Sequence, residues 1–230
     1  MIHNTKELCG HKLSATDGDI GRVKDFYFDD QSWAVRYVVA DTGTWLSGRE
    51  VLLAPRCFGP LNPTEQQFSV KLTRKQIEDS PAIDTHLPVS RQIELEYYRH
   101  YGWNGYWETE AFRGMANVAP PLPPEAAESR PHHGHNQRED LHLRSVNALT
   151  GYAIEAKDGT LGTVNGFLVD TQSWLVRQIA VETGHWYSGK EILILPSEVT
   201  RISFDESKVF VNLTKADLEH TKEHQVAKAT

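Results

Sequence analysis

The sequence predicts a mainly β protein made of two small antiparallel barrels, and three observations lead there. Residues 10–80 lie over residues 151–221 at a constant offset of about 141 positions without a gap, and about 26 of roughly 71 paired residues are identical. Within each copy apolar residues alternate with polar ones over short runs, the pattern of strands with one buried face. Turn-forming residues punctuate those runs every 8–12 residues or so, a spacing that suits a small barrel whose closure removes exposed sheet edges.

Each element follows from its residues. Asp17-Gly18 and Asp158-Gly159 supply the Asp-Gly pair of a tight hairpin turn with positive φ. Ile20, Val23, Phe26 and Phe28 alternate with Arg22, Lys24, Asp25 and Asp29 to form one strand, and Val35, Tyr37 and Val39 share a parity in the next. Between them 29–32 and 170–173 read as polar turns. Val51-Leu52-Leu53-Ala54 is an apolar strand stopped by Pro55, and Phe68, Val70 and Leu72 alternate in the last. The second copy repeats these with 192–195, Pro196, Val209, Val211 and Leu213. Thr73-x-x-Gln76 then has the form of a capping box and Asp217 is an acid in a first helical turn, so a short helix is expected to close each copy.

The middle of the chain differs in character. Val89, Ile93, Tyr97 and Tyr101 recur at i, i+4 on a predicted helix, with Glu94 and Arg99 off that face, and Gly102 stops it. The run Tyr101-Gly102-Trp103-Asn104-Gly105-Tyr106-Trp107 carries too much aromatic surface to leave in water and is expected to dock on a barrel. Residues 119–137 turn to Pro, Glu, Ala and His, which is linker composition. The expected layout is therefore a first barrel over 1–80, a helical and aromatic segment over 81–118, a flexible linker over 119–140, a second barrel over 141–222 and a polar tail over 223–230.

Charge and cysteine content narrow the function. A formal net charge of -7 over 230 residues, with both signs interspersed, offers no positive field for a nucleic-acid backbone. No apolar run approaches the ~20 residues that span a bilayer and no signal-peptide core is present, so a soluble, cytoplasmic protein without membrane insertion is expected. Cys9 and Cys57 both fall in the first copy, with Glu198 opposite Cys57, so free thiols are expected.

The duplicated signature Asp-Gly-x-(Ile/Leu)-Gly-x-Val, Phe-x-x-Asp, Trp-x-Val-Arg and Thr-Gly-x-Trp-x-Ser-Gly-(Arg/Lys)-Glu-(Val/Ile)-Leu-x-x-Pro resembles the PRC-barrel family across both copies. The stretch Pro88-Val89-Ser90-Arg91 with Tyr98, Tyr101-Gly102-Trp103 and Tyr106-Trp107 resembles the segment after the first barrel in tandem soluble bacterial members. The resemblance implies a small β-barrel like that in the cytoplasmic part of the photosynthetic reaction-centre H subunit and the C-terminal domain of a ribosome-maturation factor. In both it serves as a contact module and not as a catalyst.

Among polar repeats, Arg36 and Arg177 each follow a Trp by three residues and are expected to pair with a nearby acid such as Glu50 or Glu191, fixing register. Trp33, Trp45, Trp174 and Trp186 supply core or interface area, as do Trp103 and Trp107 in the middle segment. Arg49-Glu50 and Lys190-Glu191 close Ser-Gly turns, where Arg49 or Lys190 is a candidate anion contact. His132, His133, His135 and His142 sit in Pro-rich sequence without the fixed geometry of a metal site, so no metal and no cofactor is expected. No nucleophile elbow, phosphate loop or metal-ligand spacing is present, and the chain reads as non-enzymatic. The expected function is a protein-interaction or assembly module with a protein partner or a homodimer; the alternative is a small-molecule or anion sensor with a pocket between the barrels lined by Trp45, Arg49 and their counterparts, and the family resemblance alone implies a reaction-centre-type electron-transfer association.

Overall fold

A computed structural model describes residues 1–62, 64–81, 91–105, 143–184 and 190–218, with only the backbone of 91–93. It is mainly β, with two seven-stranded sheets. The chain divides into two compact units, Met1–Glu78 with His142–Thr230, and Asp79–Leu141, so both repeats share the first unit.

The first repeat contains β1 (Ile2–Asn4), α1 (Thr5–Leu8), β2 (Lys12–Ala15), β3 (Gly18–Asp29), β4 (Val35–Asp41), β5 (Glu50–Leu53), β6 (Phe58–Asn62), β7 (Gln67–Val70) and α2 (Arg74–Glu78). The second unit holds α3 (Arg91–His100). The second repeat follows as β8 (Leu143–Ser145), α4 (Val146–Leu149), β9 (Ala153–Ala156), β10 (Gly159–Asp170), β11 (Leu175–Thr183), β12 (Glu191–Ile194), β13 (Val199–Ser203) and β14 (Lys208–Val211).

The sheets have the same strand order, β5-β4-β3-β2-β7-β6 and β12-β11-β10-β9-β14-β13. One pair in each departs from the antiparallel expectation: β2 runs parallel to β7, and β9 to β14. The cause is connectivity, because β6 and β7 form a hairpin whose second strand returns in the direction of β2. The long strands β3 and β10 coil, with register shifts at Val23/Asp25 and Val164/Gly166. Two residues before these shifts Gly21 and Gly162 permit a close approach of the neighbouring strand: a Cβ on either would stand 2.0 Å from the carbonyl oxygen of Asp41 or Glu182.

The seventh strand of each sheet comes from the other repeat. β1 pairs with β10 and β8 with β3, in the matching registers Ile2↔Asp170 and Leu143↔Asp29. The core lies inside the two sheets and continues across this exchange: the Phe28 and Phe167 ring centroids are 5.2 Å apart and both side chains are fully buried.

Helix starts follow the capping chemistry. The Thr73 hydroxyl accepts from the Gln76 N–H at 3.2 Å while the Gln76 side chain accepts from the Thr73 N–H at 3.0 Å. Thr214 and Asp217 make the same reciprocal bonds in the second copy. Asp17 and Asp158 receive the next N–H of each helix, from Arg74 at 2.7 Å and Lys215 at 2.9 Å.

In the second unit α3 ends in a Schellman motif: Gly102 has φ 65°, and the Gly102 and Trp103 N–H groups donate to the Arg99 and Tyr98 carbonyls. Its buried face differs from the expected one. Glu94, Tyr97 and Tyr98 are all buried, so Glu94, expected off the apolar face, lies one turn before the tyrosines on it. The Trp103 ring stacks on Tyr101 at 4.6 Å. The linker 119–140 and tail 223–230 lie outside the described residues. Among the described residues no helix is long and apolar enough to cross a membrane.

The close-approach glycines give a direct test. Gly21→Ala and Gly162→Ala are each expected to cost about 3 kcal/mol in urea denaturation. Gly43→Ala, where a Cβ meets nothing within 4 Å but φ is +53°, should cost only about 1 kcal/mol.

Candidate functional site

The repeated polar residues converge on one turn in each copy. The Asp29 carboxylate accepts from the Gln31 and Ser32 N–H groups, each at 2.9 Å, and the Trp33 N–H donates to the Asp29 carbonyl at 2.7 Å. Trp33 is thereby held at φ 56°, and Trp174 at φ 55° in the equivalent turn. This left-handed conformation is costly for a bulky residue and persists where the surroundings enforce it. Its effect is to turn the carbonyl outward: Trp33 accepts from the Val176 N–H and Trp174 from the Val35 N–H, both at 2.8 Å. The repeats meet about a pseudo-two-fold axis at this point.

Arg36 and Arg177 belong to the same turns, with partners other than those expected. Arg36 Nη2 donates to Asp29 Oδ2 at 3.2 Å and to Ser32 Oγ at 3.1 Å, and Arg177 to Asp170 and Ser173 at 3.4 and 3.2 Å. The pairing with Glu50 or Glu191 is corrected by register. Glu50 sits opposite Asp41, at the far end of β4 from Arg36, and Glu191 sits opposite Glu182. Glu50 instead takes the Lys24 ammonium, and Glu191 accepts from the Asn165 amide at 2.8 Å. For Asp29, burial raises its proton affinity, but the Ser32 and Gln31 N–H groups and the Arg36 guanidinium outweigh it and hold the carboxyl below its usual range.

Trp174 reaches into the first repeat, packing on Phe58 and Phe68 with ring centroids 5.0 and 6.0 Å away. Trp33 stacks on Phe28 at 5.3 Å. Trp45 is covered by the Arg74 guanidinium, 4.6 Å from its centroid, and Arg49 donates to the Glu78 carbonyl at the end of α2 at 2.9 Å. The carbonyls of Arg49 and Lys190 accept from the Thr42 and Thr183 hydroxyls, each at 2.6 Å. The structure thus brings Trp33, Arg36, Trp174 and Arg177 to the junction of the repeats and leaves Trp45, Arg49, Glu50, Lys190 and Glu191 away from it. Trp103 belongs to the second unit. Trp107, Trp186, His132, His133, His135 and His142 lie outside the described residues.

Several residues at the junction were not singled out from the sequence. The buried Asp25 carboxylate accepts from Ser145 Oγ at 2.5 Å, the Asn147 N–H at 3.0 Å and the Phe26 N–H at 2.7 Å, so it caps the helix donated by the other repeat. Arg144 donates to Asp30 at 2.6 Å, and Asn147 Nδ2 to the Lys24 carbonyl at 3.0 Å. On the opposite side the Phe167 N–H donates to Thr5 Oγ1 at 3.2 Å and Lys6 reaches Asn165 at 2.5 Å. The available signal was divergence: apart from Phe26 and Phe167, which contribute only backbone N–H groups, these positions differ between the copies, whereas a search for repetition selects the ones that agree.

Burial pushes the Asp25 carboxyl above its ordinary 3.8, against the three donors that favour the charged form. Burial and then the Asp25 charge push the free Cys9 thiol up to about 11, and burial pushes Cys57 up to about 12. No protein-family model and no curated protein matches this chain.

Two tests follow from this geometry. Because Asp25 holds its proton more tightly when folded, its charge lowers stability above the raised value, and that cost fades as pH falls towards 3.8. The stability of Asp25→Asn minus that of the wild type should therefore fall on acidification from about pH 7 to about pH 4 in urea denaturation, and a constant difference contradicts the assignment. Trp174→Ala, which vacates the space beside Phe58 and Phe68, should cost about 3–5 kcal/mol by the same measurement.

Proposed function

We propose that this chain is a non-catalytic, cytoplasmic contact module whose two sheets are PRC-type barrels and whose outer surface engages a protein partner. Two features support the barrel reading: the coiled β3 and β10, and the return of β7 and β14 beside the first long-hairpin strand. The terminal strands β5 and β6 lie at the two ends of the hydrogen-bonded path in the first sheet, joined by the 3-10 turn Pro55–Cys57. Side-chain packing between them would complete the cylinder.

One observation carries the contact reading. Leu52 on β5 and Ala54 just after it are 2% and 1% exposed, while their counterparts Leu193 on β12 and Leu195 just after it are 44% and 51% exposed. Two exposed leucines, one on a terminal strand and one just past its end, are surface that a protein partner with an apolar segment would cover. The arginines at the junction brace the tryptophan turns that join the repeats, and among the described residues no acid, base and nucleophile are grouped there as an enzyme would need.

Tagged wild-type chain and the Leu193→Glu/Leu195→Glu variant, recovered from the native host and compared by quantitative mass spectrometry, test the proposal. A stoichiometric protein companion present with the wild type and depleted at least about tenfold with the variant is the expected result. A companion retained by the variant removes this face from the reading. A saturable thermal shift with one metabolite or anion, and no companion, would favour a sensor instead.

A further inference from the structure

The junction between the repeats uses the same backbone bonds on both sides and different side chains. The strand registers and the two Trp carbonyl bonds repeat by the offset, so backbone geometry alone would let any repeat pair with any other. The side chains distinguish the pairings. β3 and the turn after it present Asp25 and Asp30 to Ser145, Asn147 and Arg144, whereas β10 presents Gly166 to Asn4 and Asn165 to Lys6.

Like pairs fail on both counts. Two first repeats would set Asn4 beside Asp25, although each takes the same N–H of the one-turn helix, Asn4 from Lys6 and Asp25 from the equivalent Asn147, and would set Lys6 against Lys24. One contact is a competition of two acceptors for one donor and the other a repulsion between cations. Two second repeats would set Ser145 and Asn147 against Gly166 and Arg144 against Thr171, leaving donors at a part-buried site without the carboxylates that now accept from them. Trp174 would also meet Val199 and Val209 in place of Phe58 and Phe68.

We propose that the junction is a coded pairing surface that accepts only the opposite repeat, and that the first repeat of one chain can take the second repeat of another copy in the same way. The exchanged strands and helices lie at the start of each repeat, and the chain joins the repeats through the separate unit Asp79–Leu141, so covalent continuity takes no part in the contact itself. A second copy of this chain is therefore a competent partner once the intramolecular advantage is removed.

The test starts from the full chain carrying a protease site within residues 119–137. Cleaved protein, half of it isotopically labelled, is held in urea just below its unfolding transition, returned to buffer and read by native mass spectrometry. The expected products join one N-terminal and one C-terminal piece with label shuffled between them, unlike pairs exceeding like pairs by more than about tenfold. The variant His3→Arg/Asn4→Ser/Lys6→Asn gives the first repeat the donor residues of the second, and should raise N-terminal homodimers at least about tenfold. Gly166→Asp should lower unlike pairing by a similar factor through its contact with Asn4, and adding Asn4→Ser, which removes that contact and leaves the strain of φ 151° at residue 166, should restore it. The inference is overturned if wild-type like pairs match unlike pairs, if label does not shuffle, if the pieces separate as monomers, or if Gly166→Asp leaves pairing unchanged.

Discussion

Two backbone hydrogen bonds between tryptophan turns are the constraint on which the arrangement of the repeats depends. Trp33 and Trp174 occupy a backbone region that bulky side chains avoid, and each turn is fixed by an aspartate carboxylate, a serine and an arginine that returns to the same carboxylate. The strain is local and the return is long range. With the carbonyls turned outward, each β4-type strand finds a donor-acceptor partner in the other repeat, and the flanking strand exchange extends that contact along β3 and β10.

One backbone plan thus carries two chemistries. In the first repeat Asp25 supplies a buried carboxylate to the incoming helix, whose N-cap Ser145 also accepts from the Ala148 N–H. In the second, glycine leaves room for Asn4, which caps its own helix by accepting from the Lys6 N–H. A carboxylate with three donors and an asparagine beside a glycine solve the same problem, satisfaction of N–H groups at the start of a one-turn helix. The first solution retains a charge in a buried place, where an alternative arrangement lacking it would leave its donors unpaired.

Much of the fold was legible in the sequence because it is written locally. Alternation marked β3, β4 and β7, the Thr73–Gln76 capping box marked α2, and Gly102 marked the end of α3. What escaped was relational. Glu50 was named as a partner for Arg36 from its type and its place in the repeat, and only strand register, which puts Glu50 opposite Asp41, shows that Asp29 is the acid within reach. Ile-His-Asn and Leu-Arg-Ser are too short to show a period, and contacts such as Thr5 with Phe167 join residues 162 positions apart. Glu94 was placed off the i, i+4 face of Tyr97 and Tyr101, although its spacing from Tyr97 and Tyr98 puts it on the buried side with them.

The strand exchange also dictates an order of events on the ribosome. The first repeat leaves the exit tunnel with the border of β3 bare, and residues 143–149, which cover it, are made only after the whole intervening unit has been synthesised. At translation speeds of roughly 5–20 residues per second that border waits for several seconds as a nascent chain. Charged Asp25 and Asp29 on that rim, beside Lys24, are the kind of residues that discourage neighbouring nascent chains from pairing there before the rightful strand arrives.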